Sequence, residues 1–178
     1  AIGLSPNAAN LYRRCGDLYF NMHDLKKAIQ NYRKADSLLP NDPHIKNNLA
    51  VAVRDSGSVE EAIGMFESII HANPDQALPL RNLGDTLRMR GDYSLAIDKY
   101  TQAVQLDPKD ATIQNSLGIT FSMQGNLEEA ISYFQRAVEI NPSFPEAENN
   151  LANALSSARR YAEAIKHVGK AIRLRPDF

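Results

Sequence analysis

The chain has no tryptophan, a single cysteine and almost no excess of either charge sign. One cysteine cannot form an intrachain disulfide, so redox chemistry leaves the compartment unconstrained. The formal net charge of −1 provides no global field that would recruit nucleic acid or a membrane surface. No apolar run approaches the roughly 20 residues that a membrane span needs. We therefore predict neither a nucleic acid nor a membrane as a partner.

Motifs for catalysis and for metal binding are also missing. The four histidines are spaced so that none forms a helical pair with another metal-ligating residue, and surface or loop positions are expected for them: His23, His44, His71 and His167. No phosphate-binding glycine loop and no nucleophile-elbow pattern occur. We therefore predict that the chain is not an enzyme and uses neither a metal nor a cofactor.

A pattern in residues 77–110 recurs along the chain at a fixed interval. This interval equals the length of the segment, and we call it the period. In this segment the pattern consists of Leu83-Gly84, Ala96, Tyr100 and Pro108. Its counterparts one period earlier are Leu49-Ala50, Ala62, Phe66 and Pro74. Its counterparts one period later are Leu117-Gly118, Ala130, Phe134 and Pro142. A fixed period of this length indicates a repeat protein.

Each repeat is predicted to form two helices. Apolar and small residues recur at helical spacing in the first half, and Gly57, Gly91 and Gly125 stand where a left-handed residue ends that helix. A proline follows the second helix, and Asp42-Pro43 supplies a capping carboxylate and a first-turn proline for the next helix. One such pair cannot bury its apolar face alone, so successive pairs are expected to stack.

These residues resemble the tetratricopeptide repeat family along almost the whole chain. The resemblance implies an all-α fold, a right-handed α-solenoid of antiparallel helix pairs whose first helices line a concave groove. It divides the chain into five repeats at 9–42, 43–76, 77–110, 111–144 and 145–178. Residues 1–8 align with the end of a repeat, so the chain looks like a segment of a longer array.

The same resemblance implies which side chains face the groove. The candidates for binding a peptide are amides and arginines of the first helices: Arg13, Arg14, Asn47, Asn48, Arg54, Arg81, Asn82, Arg88, Asn115, Asn149, Asn150 and Asn153. Asn48, Asn82 and Asn150 occupy the same position in their repeats, and we call such a shared position a slot. This row of amides is similar to the asparagine ladder of O-linked N-acetylglucosamine transferase. A carboxamide can both donate to and accept from a peptide backbone. The alternative is that these asparagines only cap or solvate the helices.

The arginines and the cysteine have structural explanations as well. Arg13 and Arg81 each have an aspartate four residues later, whereas Arg14, Arg54 and Arg88 do not and are the better candidates for binding an anion. Cys15 occupies the slot of Leu49, Leu83, Leu117 and Leu151 in the other repeats. We therefore expect a buried thiol that faces the second helix of its own pair.

The sequence favours a protein-interaction module whose groove holds an extended segment of a protein or peptide partner. The first alternative is an arm that presents substrates to a larger enzyme, such as a glycosyltransferase. The second is a self-assembling scaffold. Ile165, Val168 and Ile172 near the end of the chain have no following repeat in the sequence, so end-to-end self-association is expected through such apolar surfaces.

Overall fold

The structure, a computed structural model, describes residues 6–176, and these form ten α-helices and no strand. The helices are α1 (Pro6–Asn21), α2 (Leu25–Leu38), α3 (Pro43–Asp55), α4 (Val59–Ala72), α5 (Ala77–Arg90), α6 (Tyr93–Leu106), α7 (Ala111–Met123), α8 (Leu127–Ile140), α9 (Pro145–Ser157) and α10 (Tyr161–Leu174). The all-α class predicted from the repeat is confirmed. Residues 1–5 of the predicted remnant at 1–8 lie outside the described part of the chain.

Aspartate caps begin two of the helices that open a pair. The carboxylate of Asp42 accepts from the backbone N–H groups of His44 and Ile45, at 2.8 and 3.1 Å. Asp110 caps α7 in the same way. Such a cap satisfies amide groups that have no partner within the helix. The predicted cap at Asp42 is confirmed.

The turn within a helix pair needs a residue in the left-handed region. Gly57, Gly91 and Gly125 have φ of +94°, +96° and +81°, which confirms the prediction. The corresponding turns after α1 and α9 use His23 and Arg159, at φ of +58° and +61°. The pattern of glycines could not predict these two turns, because non-glycine residues are uncommon in this region.

The chain divides into two compact units, and the first contains residues 6–86 of the described part. In this unit α1 packs on α2, α2 on α3 and α3 on α4. α1 also contacts α3, so the first helices of successive pairs lie side by side. The interior includes Tyr32, Ile45 and Phe66, each at most 2% exposed.

The second unit contains residues 87–176 and repeats this order from α6 to α10, with α7 against α9. Ile131, Phe134, Leu151 and Leu155 belong to one buried cluster between α8, α9 and α10. Gly118 lies directly under Phe134, since a Cβ atom there would be 2.6 Å from the ring. The glycine thus allows the aromatic side chain to pack against the backbone of α7.

Cys15 is exposed, so the prediction of a buried thiol is wrong. Its counterpart Leu151 in α9 packs with Ile131 and Phe134 of α8, which shows that this slot faces the preceding helix. Among the described residues no helix precedes α1. Cys15 therefore lies on an open apolar face of α1, together with Leu18, which is 64% exposed.

Candidate functional site

The carboxylate of Asp17 is the centre of a polar network on the first helices of the first unit. Its Oδ1 atom accepts from the hydroxyl of Tyr32 at 2.8 Å and from Nδ2 of Asn48 at 3.1 Å. Its Oδ2 atom accepts from Nη1 of Arg13 at 3.0 Å, which confirms the predicted pair. Burial, and then the bond to Asp17, raise the pKa of Tyr32 far above its ordinary value of 10.0, so the phenol stays protonated and donates.

A cavity of about 250 Å³ opens beside this network, between α1, α2 and α3. Phe20 and Val51 supply apolar surface, and Asn21 and Asn48 supply amides. Asn48 is half-buried, and its Nδ2 group donates one hydrogen bond to Asp17. Its side-chain oxygen can still accept a hydrogen bond from a ligand. The cavity therefore combines an apolar surface with polar groups in fixed positions.

Four of the other candidate asparagines form two pairs across helix-pair junctions. Asn82 donates from Nδ2 to Oδ1 of Asn47 at 2.8 Å, and both side chains are 6% exposed. In the second unit Asn150 donates in the same way to Asn115 at 3.0 Å. Each bond joins residues 35 positions apart and links two neighbouring first helices. These amides therefore stabilise the junctions, and each pair keeps only part of its hydrogen-bonding capacity for a ligand.

The arginines differ in how they are engaged. Arg54 binds the adjacent Asp55, with 2.7 Å between Nε and Oδ1, and Arg88 donates to the hydroxyl of Tyr100 at 3.3 Å. Neither partner is an acid four residues from its arginine, so the spacing rule applied to the sequence could not predict these contacts. Arg14 is exposed and Arg81 is half-buried.

The two remaining candidates lie on α9. Asn149 is half-buried and Asn153 is exposed. The candidate residues thus divide between the two units, and the part that forms a defined cavity lies at Asp17 and Asn48.

A second charged cluster, which sequence reasoning missed, lies between α9 and α10. Glu148 is 2% exposed, and its Oε2 atom lies 2.5 Å from Nδ1 of His167. Its Oε1 atom lies 3.3 Å from Nζ of Lys170. His167 is half-buried at the protein surface, and the sequence did not predict its contact with Glu148. Only the spacing of His167 and Lys170 on one face of a helix could have indicated the cluster.

Two absences in the described part of the chain bear on the predicted class. Across residues 6–176, no group of three or more histidine, cysteine, aspartate or glutamate side chains is arranged to hold a metal ion. No helix in that part of the chain is long and apolar enough to cross a membrane. The polar networks at Asp17 and Glu148 are two organised clusters in that part of the chain.

Family models for the tetratricopeptide repeat match four stretches of the chain, residues 19–83, 84–125, 111–144 and 133–166. The stretches run without a gap from the first helix pair to the last. The chain belongs to the tetratricopeptide repeat family. Its fold is therefore of the α-solenoid class that the repeat pattern predicted.

Solved structures show the same fold. The chain is 20% identical to a thermophilic tetratricopeptide protein of Thermus thermophilus, with a TM-score of 0.83 over 96% of this chain and 93% of that one. For pilF of Pseudomonas aeruginosa the identity is 21% and the TM-score 0.85, over 94% and 76% of the two chains. For MamA of Desulfovibrio magneticus the values are 21% and 0.77, over 95% and 96%. No curated protein sequence matches significantly.

Proposed function

We propose that this chain is a protein-interaction module that holds an extended peptide segment of a partner along its first helices. Tetratricopeptide repeats generally mediate protein–protein interaction and are typically not enzymes. The observation that supports the finer proposal is the cavity at Asp17 and Asn48. The alternative of an arm that presents substrates to an attached enzyme would use the same surface.

An extended peptide suits this cavity for two reasons. Its backbone offers one N–H and one C=O per residue, and these need partners when water is displaced. The oxygen of Asn48 can accept such an N–H, and the exposed Asn21 can both donate and accept. Phe20 and Val51 then provide an apolar contact for one side chain of the peptide.

A random peptide library displayed on phage tests this proposal. The selected peptides are titrated by calorimetry into the parent protein, into Asn48→Ala and into the control Gln30→Ala, which removes an exposed amide of α2 outside this cavity. One lost hydrogen bond of about 0.5–1.5 kcal/mol predicts roughly two- to tenfold weaker binding for Asn48→Ala alone. Equal affinity of parent and Asn48→Ala would overturn the proposal, provided that circular dichroism shows an intact fold.

A second candidate function is self-association, and the apolar faces of α1 and α10 favour it. Ile165 and Val168 of α10 are 72% and 40% exposed. They lie one period after Ile131 and Phe134, which are buried in the cluster that α9 shares with α8. On α1, Leu11 is 60% exposed and lies four periods before the buried Ala147 of α9. We therefore propose that α1 of a second copy packs on α10 as α9 packs on α8.

Sedimentation velocity over a concentration series tests this second candidate. Ile165→Lys is expected to shift the protein toward monomer, because a lysine would then face the apolar surface of the other copy. Leu95→Lys is the matched control, since Leu95 is 52% exposed and lies on α6, which forms neither of these faces. A parent protein that stays monomeric at the highest concentration would reject self-association and leave the peptide proposal untouched.

A further inference from the structure

A cavity of the second unit lies between α8, α9 and α10. We call it the α10 cavity, and its volume is about 560 Å³. Apolar and charged side chains share its lining. The apolar ones include Val138, Leu151 and Leu174, and the charged ones are Glu139, Glu148, His167, Lys170 and Arg173.

Three bases of α10 border this cavity. His167, Lys170 and Arg173 follow one another at intervals of three residues, so successive members are neighbours on the helix surface. In each of the other four repeats only one of the three corresponding positions carries a base. Those positions hold Asn31, Lys34 and Ser37; Met65, Ser68 and His71; Lys99, Gln102 and Gln105; and Tyr133, Arg136 and Glu139. The fold of a helix pair therefore does not require this row of bases.

The charges that solvent can reach in the α10 cavity are more positive than negative. Glu148 is 2% exposed and is already engaged by His167 and Lys170. Glu139, Lys170 and Arg173 are exposed, so two cations and one acid face solvent there. Among residues 6–176, no acid lies within ion-pair distance of Arg173. This guanidinium group is therefore not engaged by the fold and can bind a ligand.

We propose that the α10 cavity binds the side-chain carboxylate of a glutamate from a partner protein. Arg173 can hold a carboxylate through two parallel N–H donors. Lys170 lies 3.3 Å from Glu148, and an ammonium group with three donors can serve a second carboxylate as well. The methylene groups of the glutamate then lie against Val138 and Leu174.

Glu139 of α8 is the accessible group in the cavity that opposes an anion. Like charges repel, so removing its charge is expected to strengthen binding. Lys170 is less suitable for a test, because its replacement would also deprive the buried Glu148 of one of its two bases. Arg173 has no such second role and is the residue to replace.

A peptide that contains glutamate tests the proposal directly. A capped Ala-Glu-Ala peptide is titrated into the ¹⁵N-labelled protein, and the amide signals of Gly169 and Leu174 are followed by NMR. We expect saturable shifts with this peptide and none with capped Ala-Gln-Ala, which has nearly the same shape without the charge. Since hydrogen bonds between charged groups are among the stronger ones, Arg173→Gln should weaken binding about tenfold or more. Glu139→Gln should tighten it.

Two controls complete the test. Lys166→Gln removes the same charge from an exposed position of α10 outside the cavity, and should bind the glutamate peptide within about twofold of the parent at physiological salt. Equal affinities of Arg173→Gln and Lys166→Gln would overturn the proposal. The absence of saturable shifts with the glutamate peptide, or equal shifts with the glutamine peptide, would overturn it too. Asn48→Ala should leave the shifts in α10 unchanged, so this result and that for the peptide site at Asn48 can fail separately.

Discussion

Replacing Glu148 and His167 in turn tests whether their contact stabilises the protein, because a buried carboxylate beside a histidine does not by itself show net stabilisation. Glu148 is 2% exposed, whereas the side chains of His167 and Lys170 are 21% and 49% exposed. Removing the acid therefore leaves two bases that can reach water. Removing His167 instead leaves a buried carboxylate oxygen without its closest partner. We expect the second change to be the more destabilising one.

The repeat supplies the substitution that makes this comparison quantitative. Leu80 stands two periods before Glu148 and is 3% exposed, so this slot of the fold accepts a leucine. Because the bases that remain, His167 and Lys170, are partly exposed and can be solvated, Glu148→Leu should change stability by less than about 1 kcal/mol. His167→Leu leaves a charged acceptor buried and should cost about 2–3 kcal/mol.

Hydrogen exchange of the backbone amides in α9 and α10 is the suitable assay. Repeat proteins open locally, so one global melting curve would average over junctions that the substitution does not touch. The double variant provides the control: if His167 acts only by satisfying Glu148, then His167→Leu costs almost nothing once Glu148→Leu is present. A larger loss for Glu148→Leu than for His167→Leu, or full additivity of the two, would refute this account.

Four more substitutions should change stability, each by a different mechanism. Asp36→Val should stabilise the protein by about 1–3 kcal/mol at pH 7, because the buried Oδ1 atom of Asp36 has no hydrogen-bond partner among the described residues. Because burial raises the pKa of Asp36, the parent loses stability as the pH rises. Urea titrations should therefore show that the stabilisation of Asp36→Val over the parent shrinks as the pH falls toward 3.8. Gly118→Ala should destabilise the protein by about 1–3 kcal/mol in thermal melts, because the added Cβ would overlap Phe134. Gly64→Ala is the opposite case, since the added Cβ would meet open space within a helix. It should stabilise the protein by up to about 1 kcal/mol. Arg159→Gly should stabilise by about 1 kcal/mol in the same melts, since Arg159 has a φ of +61°; an unchanged or lower melting temperature would contradict this.

The features of the fold that repeat in the sequence were predictable from it. A left-handed turn, a helix cap and a proline after a helix are each set by one residue and its immediate neighbours, as at Gly57 and Asp42. The turns at His23 and Arg159 adopt the same conformation with unfavourable residues. There the packing of the helices on either side determines the backbone, and no local signal in the sequence reports that packing.

The candidate site was less predictable, because its contacts join residues of different helices. Asp17 binds a tyrosine 15 residues away and Asn48 31 residues away. The period alone places Asn48 on a first helix but does not say which side chain of the previous pair it meets. Within one pair the period likewise does not say that Glu148 meets His167, which is 19 residues away. A repeat thus predicts where a side chain lies, while the neighbouring helix determines what it contacts.

The paired asparagines connect the stability of the array with its proposed function. The bond between Asn47 and Asn82 in the first unit has a counterpart between Asn115 and Asn150 in the second, with the same separation in sequence. Since a half-satisfied buried amide is costly, each pair fixes how two neighbouring first helices meet. At Asn48 the partner is instead Asp17, beside an open cavity. Under the proposed function, one slot of the repeat would serve either the junction or a ligand, and the residue it meets in the preceding helix pair would decide between them.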